Sequence, residues 1–320
     1  MSPNKRIAVW MSEKKIQKVN WQELETVCGN YGFEVFKLCL KSSLESQGPF
    51  CVLVHKMTDI IASANLGDVR CIAILQDVER YISQNPTLIV IDPIPNVRKI
   101  IDRYSCYSII HSTNLCTYEV FTPNFCTLET NDVETIKHQL RIAHVTYPFL
   151  CKPLLGHGSR KAHQICIIFN ERSLIDISTP CVAQSFINHD ASLFKIYVAG
   201  DKHCMVERPS LKNYQASDRE TIYFDSSDVS KAGSKSRLSV LDPEDVVERR
   251  EPDEKIINLI ATTLRKAFGM DLFGVDVVIE KSTGKYAIID VNAYPGYDGF
   301  PNFYEALLEC ISKKMSTDLT

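Results

Sequence analysis

Two apolar runs close to the end of the chain constrain it most. DLFGVDVVIE, residues 271–280, is followed by KSTGK and then by YAIIDVNAYPGYDG, residues 286–299. Runs of strand length on either side of a short glycine-containing turn read as an antiparallel hairpin. If the hairpin is centred on Thr283, Asp276 stands directly opposite Asp290. Opposed residues have Cβ atoms about 5 Å apart, and two like charges at that distance are destabilising. Side-chain alternation then sets Asn292 on the same face, opposite Gly274. Two carboxylates and an amide oxygen beside a glycine make a hard oxygen site that suits Mg²⁺, which takes one or two carboxylates and completes its shell with water and phosphate. The plainer alternative is two strand-end residues that each cap a loop, and a one-residue change of register would separate them. Asp298 reads as a loop or cap residue rather than a third ligand.

The first hundred residues alternate strand and helix. RIAVWM, FEVFKLCL, FCVLVHK and LIVIDP read as strands. NWQELETVCGNYG reads as a helix that Asn20 and Glu23 open as a capping box, and an amphipathic stretch runs through Ile72, Leu75, Val78 and Ile82. This predicts a small α/β domain with a largely parallel sheet. Beyond it, DVETIKHQLRIAH is a helix, and YPFLCKP, QICIIF, CVAQSFI, LFKIYVAG and KHCMVERPS are strands. Residues 211–241 are polar and serine-rich and read as loop. DEKIINLIATTLRKAFG is helical, and a last helix runs from about Asn302 to Lys314. With 320 residues, 45% of them hydrophobic, the chain has material for two or three structural units.

Cations recur at strand ends. Lys152 ends FLCK and Lys195 opens a later strand. Each alone reads as a stem that snorkels to solvent; beside a metal site, each reads as a phosphate contact. SEKKIQK places Lys14, Lys15 and Lys18 ahead of a helix N-terminus, where cations are disfavoured unless an anion joins them. Lys56 ends another strand of the same domain. GHGSRKAH carries His157, Arg160, Lys161 and His163 and reads either as a phosphate-covering loop or as a charged surface turn. The chain holds no Walker A spacing, no GxGxxG after a strand, no GxSxG and no HExxH. A net charge of −3 argues against bulk nucleic-acid binding. Twelve cysteines without a CxxC pair read as free thiols of a reduced, intracellular protein. The N-terminal MSPNKRIAVWMSEKK is neither a signal peptide nor a membrane span.

WMSEKKIQK, VHKMTD, IDRYSCY, FLCKP, CVAQSFINHD, ERPSLKN, FGVDVVI and IIDVNAYPGYDG occur in that order from near Lys5 to about Leu308. In this the chain resembles the inositol 1,3,4-trisphosphate 5/6-kinases, also called inositol-tetrakisphosphate 1-kinases. The resemblance implies an ATP-grasp fold. A parallel-sheet α/β domain (residues 1–110) would bind substrate. A central subdomain with the glycine-rich loop (111–192) and a C-terminal subdomain with the metal hairpin (193–320) would clamp ATP between antiparallel sheets, the last helix packing on the first domain.

The activity implied is Mg²⁺-dependent transfer of the ATP γ-phosphate, with two ions, to the 5- or 6-hydroxyl of inositol 1,3,4-trisphosphate or the 1-hydroxyl of inositol 3,4,5,6-tetrakisphosphate. Lys15, Lys56, His163, Lys195, Asn292 and Gly296 are implied on the substrate side. Arg103, Lys152, Gln184, Lys195, Ser210, Ser226 and Ser230 are implied around ATP, Gln184 opening the hinge that faces adenine. Asp276, Asp290 and Asn292 are implied as metal ligands, with Asp290, Lys195 and His163 as catalytic groups. Arg160 and Lys161 would suit a highly phosphorylated substrate. The resemblance also implies a cytoplasmic monomer that neither enters a membrane nor binds nucleic acid. Two other classes share parts of this pattern. An ATP-grasp carboxylate–amine ligase would use the same metal hairpin, and a non-catalytic inositol phosphate sensor would use the lysines without it.

Overall fold

A computed structural model describes residues 5–156, 160–245 and 250–317. Strands β1 (Arg6–Trp10), β2 (Glu34–Lys37), β3 (Val52–His55) and β4 (Ile89–Ile91) form an all-parallel sheet in the order β2-β1-β3-β4. Parallel strands need crossovers that cover both faces. Here these are α1 (Glu13–Ile16), α2 (Trp21–Asn30), α3 (Thr58–Asn65) and α4 (Val69–Gln84). The backbone N–H of Glu23 donates to the Asn20 side chain, so α2 starts where its cap predicts. The Asp68 carboxylate accepts from Arg70 and Cys71 and starts α4 in the same way. Ala8 and Leu53 pack against Met57, Ile61 and Leu75, while Ile7, Val9, Val52 and Val54 face Leu24 and Val27.

Helices α5 (Ile94–Ile101) and α6 (Arg103–His111) meet at Asp102, whose carboxylate accepts from the Ser105 N–H at 2.7 Å. Beyond them come β5 (Val120–Phe121), β6 (Phe125–Leu128), α7 (Val133–Ile142), β7 (Phe149–Pro153), β8 (Gln164–Ile168), β9 (Cys181–Ser185), β10 (Ser192–Ala199), β11 (Lys202–Pro209) and β12 (Ile222–Asp225). The one-turn α8 (Ser226–Val229), α9 (Glu254–Phe268), β13 (Leu272–Ile279), β14 (Tyr286–Ala293) and α10 (Phe303–Thr317) complete the order. Gly269 ends α9 at φ +64°, a left-handed cap that glycine adopts without steric cost.

The second sheet runs β12-β8-β7-β9-β6 and the third β11-β10-β13-β14-β5. Every pairing in them is antiparallel except β14 with β5. Two short strands join across the chain: β5 lies in the third sheet and β12 in the second. The stretch read as loop from 211 to 241 therefore holds β12 and α8. Its composition is polar because β12 is an edge strand, with Tyr223 65% exposed.

The parallel sheet is tied to the C-terminal elements through Asp92 and through α10. Asp92, just past β4, accepts from the N–H groups of Asp271 (2.7 Å) and Leu272 (2.9 Å) at the start of β13. Helix α10 lays Leu307, Leu308 and Ile311 on the α2 side of the parallel sheet, and the Tyr304 hydroxyl accepts from the Asn20 N–H at 3.0 Å. Among the described residues, no helix is long and apolar enough to cross a membrane.

Candidate functional site

Strand β13 lies between β10 and β14, and the register makes Lys195, Asp276 and Asp290 direct partners in one row across the three strands. Asn292 pairs with Gly274 one step along, on the same face. The opposed carboxylates expected from the hairpin are thus present. The centre at Thr283 holds only on this half of the hairpin. The register shifts between Asp276 and Val277, so Val277 pairs with Ile288 and Ile289 is left without a partner. That bulge has a use. The Ile289 carbonyl, free of the ladder, accepts from Lys152 Nζ at 2.8 Å and from the Tyr107 hydroxyl at 3.0 Å.

Lys195 Nζ stands 3.1 Å from Asp276 Oδ1. The pairing raises the Lys195 pKa. Burial raises that of Asp276, with Asp290 adding to the shift and Lys195 opposing it. Asp276 Oδ1 is buried and receives no aligned hydrogen bond. Two opposed carboxylates beside an amide oxygen, offset by the single ammonium of Lys195, are a donor set that a hard dication completes. Among the described residues no three His, Cys, Asp or Glu side chains gather as a metal cluster. The set is two carboxylates plus Asn292, which fits Mg²⁺ and its preference for retained water and phosphate ligands.

Lys152 is buried where β7 approaches the bulge. Besides Ile289 it donates to Gln184 Oε1 at 2.7 Å and to the Tyr107 hydroxyl at 3.2 Å. Burial pulls its pKa down to about 8, against the attraction of Asp290. Gln184, on β9, is itself buried, and its Nε2 has no partner. Arg103 opens α6 and is also buried. It donates to the carbonyls of Pro153 (2.5 Å) and Ala162 (3.4 Å), one on each side of the glycine-rich segment, and its Nε stands 3.8 Å from Asp290 Oδ1.

Lys56, just past β3, donates to the Ala293 carbonyl at 3.2 Å and to that of Tyr294. Burial first, then the nearby charges of Lys15 and Lys195, with Asp59 opposing, bring its pKa down to about 7. Lys15 is lowered by burial and by Lys18, with Asp59 and Asp298 opposing. Lys56 thus holds the start of the Ala293–Gly296 turn, within the electrostatic reach of Lys15 and Lys195. Gly274 makes room for that turn: a Cβ there would lie 3.1 Å from Pro295 Cγ. A Cβ on Gly296 would lie 3.0 Å from Asp298 Oδ2. Asp298 accepts on its backbone carbonyl from Arg208 Nη2 at 2.8 Å, a loop-fixing role.

Ser210 is buried, with its Oγ 2.7 Å from His189 Nε2, while His189 Nδ1 is 2.5 Å from the Ile187 carbonyl. The Ile187 contact requires a proton on Nδ1, so the Ser210 hydroxyl donates to Nε2. Burial holds the His189 pKa down to about 4 and keeps this neutral form. Ser226 opens α8, and the Ser230 N–H donates to its carbonyl at 3.1 Å.

His163 is exposed, and no hydrogen bond or ion pair joins it to Lys195, Asp276 or Asp290; its influence falls on Asp225. The segment before it leads directly into β8, whose first residue, Gln164, pairs with Asp225 at the sheet edge. His157 lies outside the described residues, as do the side chains of Arg160 and Lys161. Sequence reasoning missed Tyr107, His189 and Asp92. Tyr107 and His189 lie inside the quoted IDRYSCY and CVAQSFINHD, but their roles depend on partners elsewhere in the chain, Lys152 and Ile289 for Tyr107 and Ser210 for His189.

Two family models cover most of the chain. One, described as the inositol 1,3,4-trisphosphate 5/6-kinase pre-ATP-grasp domain, matches residues 6–97. The other, the ATP-grasp domain of the same kinase, matches residues 116–313. An inositol-tetrakisphosphate 1-kinase of Danio rerio is 41% identical over 96% of this chain and 78% of its own length. One of Xenopus laevis is also 41% identical, with the same two coverages, 96% and 78%. Among solved structures, a RimK-domain ATP-grasp protein of Sphaerobacter thermophilus superposes with a TM-score of 0.58 at 14% identity, covering 96% of this chain and 99% of that one. That likeness is one of fold, and it carries the ATP-grasp architecture of paired antiparallel sheets. The chain belongs to the inositol 1,3,4-trisphosphate 5/6-kinase family.

Proposed function

We propose that the chain is an ATP- and Mg²⁺-dependent inositol polyphosphate kinase. It would phosphorylate inositol 1,3,4-trisphosphate at the 5- or 6-hydroxyl and inositol 3,4,5,6-tetrakisphosphate at the 1-hydroxyl. The observation that carries this is the mutual proximity of the Lys15, Lys56 and Lys195 charges, with Lys195 on Asp276 in the row that holds Asp290. A small carboxylic acid, the substrate of a ligase, needs no such concentration of positive charge. A sensor has no use for a buried carboxylate pair.

The residues divide by position. Lys152 and Lys195 neutralise the ATP phosphates, and Arg103 and Gln184 fix the strand ends and Lys152 around them. Ser210, held by His189, and Ser226 and Ser230 on α8 lie toward the nucleotide. Lys15, Lys56, Asn292 and the backbone of Gly296 orient the phosphates of the acceptor. Asp276, Asp290 and Asn292 would hold Mg²⁺, as two ions, which offsets the charge on the transferring phosphoryl group. The acceptor hydroxyl forms the new P–O bond as the bond to the ADP oxygen breaks, and the hydroxyl proton leaves with solvent or the phosphoryl product. Such transfers rest on alignment and electrostatics more than on a dedicated base, in keeping with the exposed place of His163. We further propose units at residues 1–110, 111–192 and 193–320, and a monomer in a reducing compartment, where twelve free cysteines are stable.

The test is incubation with ATP, Mg²⁺ and a panel of inositol tris- and tetrakisphosphates, with positional isomers of the products resolved. Transfer to at least one of them is expected. Absence of transfer to all of them removes the kinase reading.

A further inference from the structure

Three cysteines stand in one row across the second sheet, Cys166 on β8, Cys151 on β7 and Cys126 on β6, with Ala183 of β9 between the last two and Cys181 one step along β9 on the same face. Cys151 and Cys166 are direct cross-strand partners and the last registered pair of the β7–β8 ladder. Ala183 faces both Cys151 and Cys126, and Cys181, two residues before it, shares its face. The neighbouring thiols of Cys166 and Cys181, together with burial, push the Cys151 pKa up. These three thiols border a cavity of about 660 Å³ whose other walls include Thr179, Pro180 and the exposed Tyr223. Nothing in the phosphoryl transfer uses them.

Opposed residues of an antiparallel pair have Cα atoms about 4.5–5.5 Å apart. That lies inside the range of about 4.4–6.8 Å that disulfides span. We propose that Cys151 and Cys166 are a peroxide-oxidisable dithiol that closes a reversible disulfide beside Lys152, with Cys181 as the thiol that exchanges into it. The Cys166 sulfur attacks one peroxide oxygen: the S–O bond forms, the O–O bond breaks, and the leaving hydroxide takes up a proton as water. The Cys151 sulfur then attacks the sulfenic sulfur: the S–S bond forms, the S–OH bond breaks, and a second water leaves. Two electrons pass from the thiols to the peroxide, and the two thiol protons end in the two waters. The neighbouring Cys151 lowers the Cys166 pKa, which favours Cys166 as the attacking thiolate. Closure would fix β7 at Cys151, the residue before Lys152. The expected weakening of nucleotide binding rests on the assignment of Lys152 to ATP.

The full chain is treated with hydrogen peroxide, its remaining thiols are alkylated, and it is digested with trypsin without reduction. Arg160 and Lys161 lie between the two cysteines, so a disulfide appears as two linked peptides. The expected result is a Cys151–Cys166 link that dithiothreitol removes. In C166S, and in C166A should the serine variant fold poorly, a Cys151–Cys181 link is expected instead. Full alkylation of Cys151 and Cys166 while the exposed Cys39 and Cys116 are oxidised would overturn the proposal. ATP affinity is then compared before and after oxidation, and a several-fold loss that dithiothreitol reverses is expected. An unchanged affinity in the linked protein would overturn the coupling to Lys152. The peptide readout does not depend on kinase turnover, so failure of the kinase reading leaves it intact.

Discussion

The ammonium of Lys152 lies 2.8 Å from the carbonyl oxygen of Ile289, the residue that the β13–β14 ladder leaves unpaired. One hydrogen bond thus joins the second sheet to the third at the strand that carries Asp290. With Gln184 Oε1 and the Tyr107 hydroxyl, it holds a buried cation through three neutral oxygens. Lys152→Ala would leave the Gln184 amide oxygen buried and without its donor, a loss of about 1–3 kcal/mol. Denaturant unfolding should show a lower midpoint, and titration with ATP should show an affinity at least tenfold weaker. Lys152→Arg should not restore either, because the larger fork does not fit a point-charge site enclosed on three sides. A variant with parent ATP affinity would remove Lys152 from the nucleotide site.

Lys152 and Lys56 set a pH dependence with a definite sign. Their folded pKa values, about 8 and about 7, lie below the ordinary lysine value of 10.5. Between the folded and unfolded values the unfolded chain binds more protons, so stability rises with pH. The cost of burying these charges is complete below about pH 7 and is relieved as pH rises from there through 8 towards 10.5. Binding of a polyphosphate raises both values again, so the ligand draws protons in. Calorimetry at pH 8 in two buffers of different ionisation enthalpy should show net proton uptake on ligand binding. Affinity for the inositol phosphate should fall as pH rises above 7, and Lys56→Met should lose that limb along with affinity. Equal heats in the two buffers would contradict the assignment.

The sequence made the metal face legible because strand alternation and a five-residue turn segment leave few registers. Asp276, Asp290 and Asn292 lie where that reasoning set them. The bulge at Ile289 was not legible, since its cause is Lys152 and Tyr107, which arrive from another sheet and a helix. The lysines were legible as cations at strand ends. That Lys56 spends two of its donors on the Ala293 and Tyr294 carbonyls depends on how two domains dock, which no local pattern encodes. His163 was assigned by motif context alone, and the strand that follows it carries it to a sheet edge. Strands β5 and β12 are two and four residues long, too short for an alternation to stand out.

The carboxylate pair gives a metal prediction. Asp276 is buried opposite Asp290, and Lys195 offsets only one of the two charges, so bound Mg²⁺ should stabilise the pair. Mg²⁺ should raise the thermal midpoint of the parent, in proportion to the logarithm of its concentration above Kd. Asp290→Ala should keep the fold, as judged by far-UV circular dichroism, and lose the Mg²⁺ response. Its phosphate transfer should fall by roughly 10²–10³-fold, the scale seen on removing a group that stabilises transition-state charge. Transfer at the parent rate by purified Asp290→Ala would overturn the site.

Gly274 is where packing and specificity meet. It pairs with Asn292 and faces Tyr197 on the next strand, and a Cβ placed on it would meet Pro295 Cγ at 3.1 Å and Tyr197 Cδ1 at 3.5 Å. Its φ is not in the left-handed region, so an alanine meets no backbone strain and only the crowding counts. The ring of Pro295 must give way, and Pro295 sits in the Ala293–Gly296 turn whose carbonyls hold Lys56. Gly274→Ala should therefore cost about 1–3 kcal/mol through overpacking. Its kinetic signature should be selective. KM for the inositol phosphate should rise several-fold as the turn moves relative to Lys56 and Lys15, while KM for ATP, set around Lys152 behind the bulge, should change little. An equal rise in both constants would show instead that the substitution disturbs the β10–β13–β14 row as a whole.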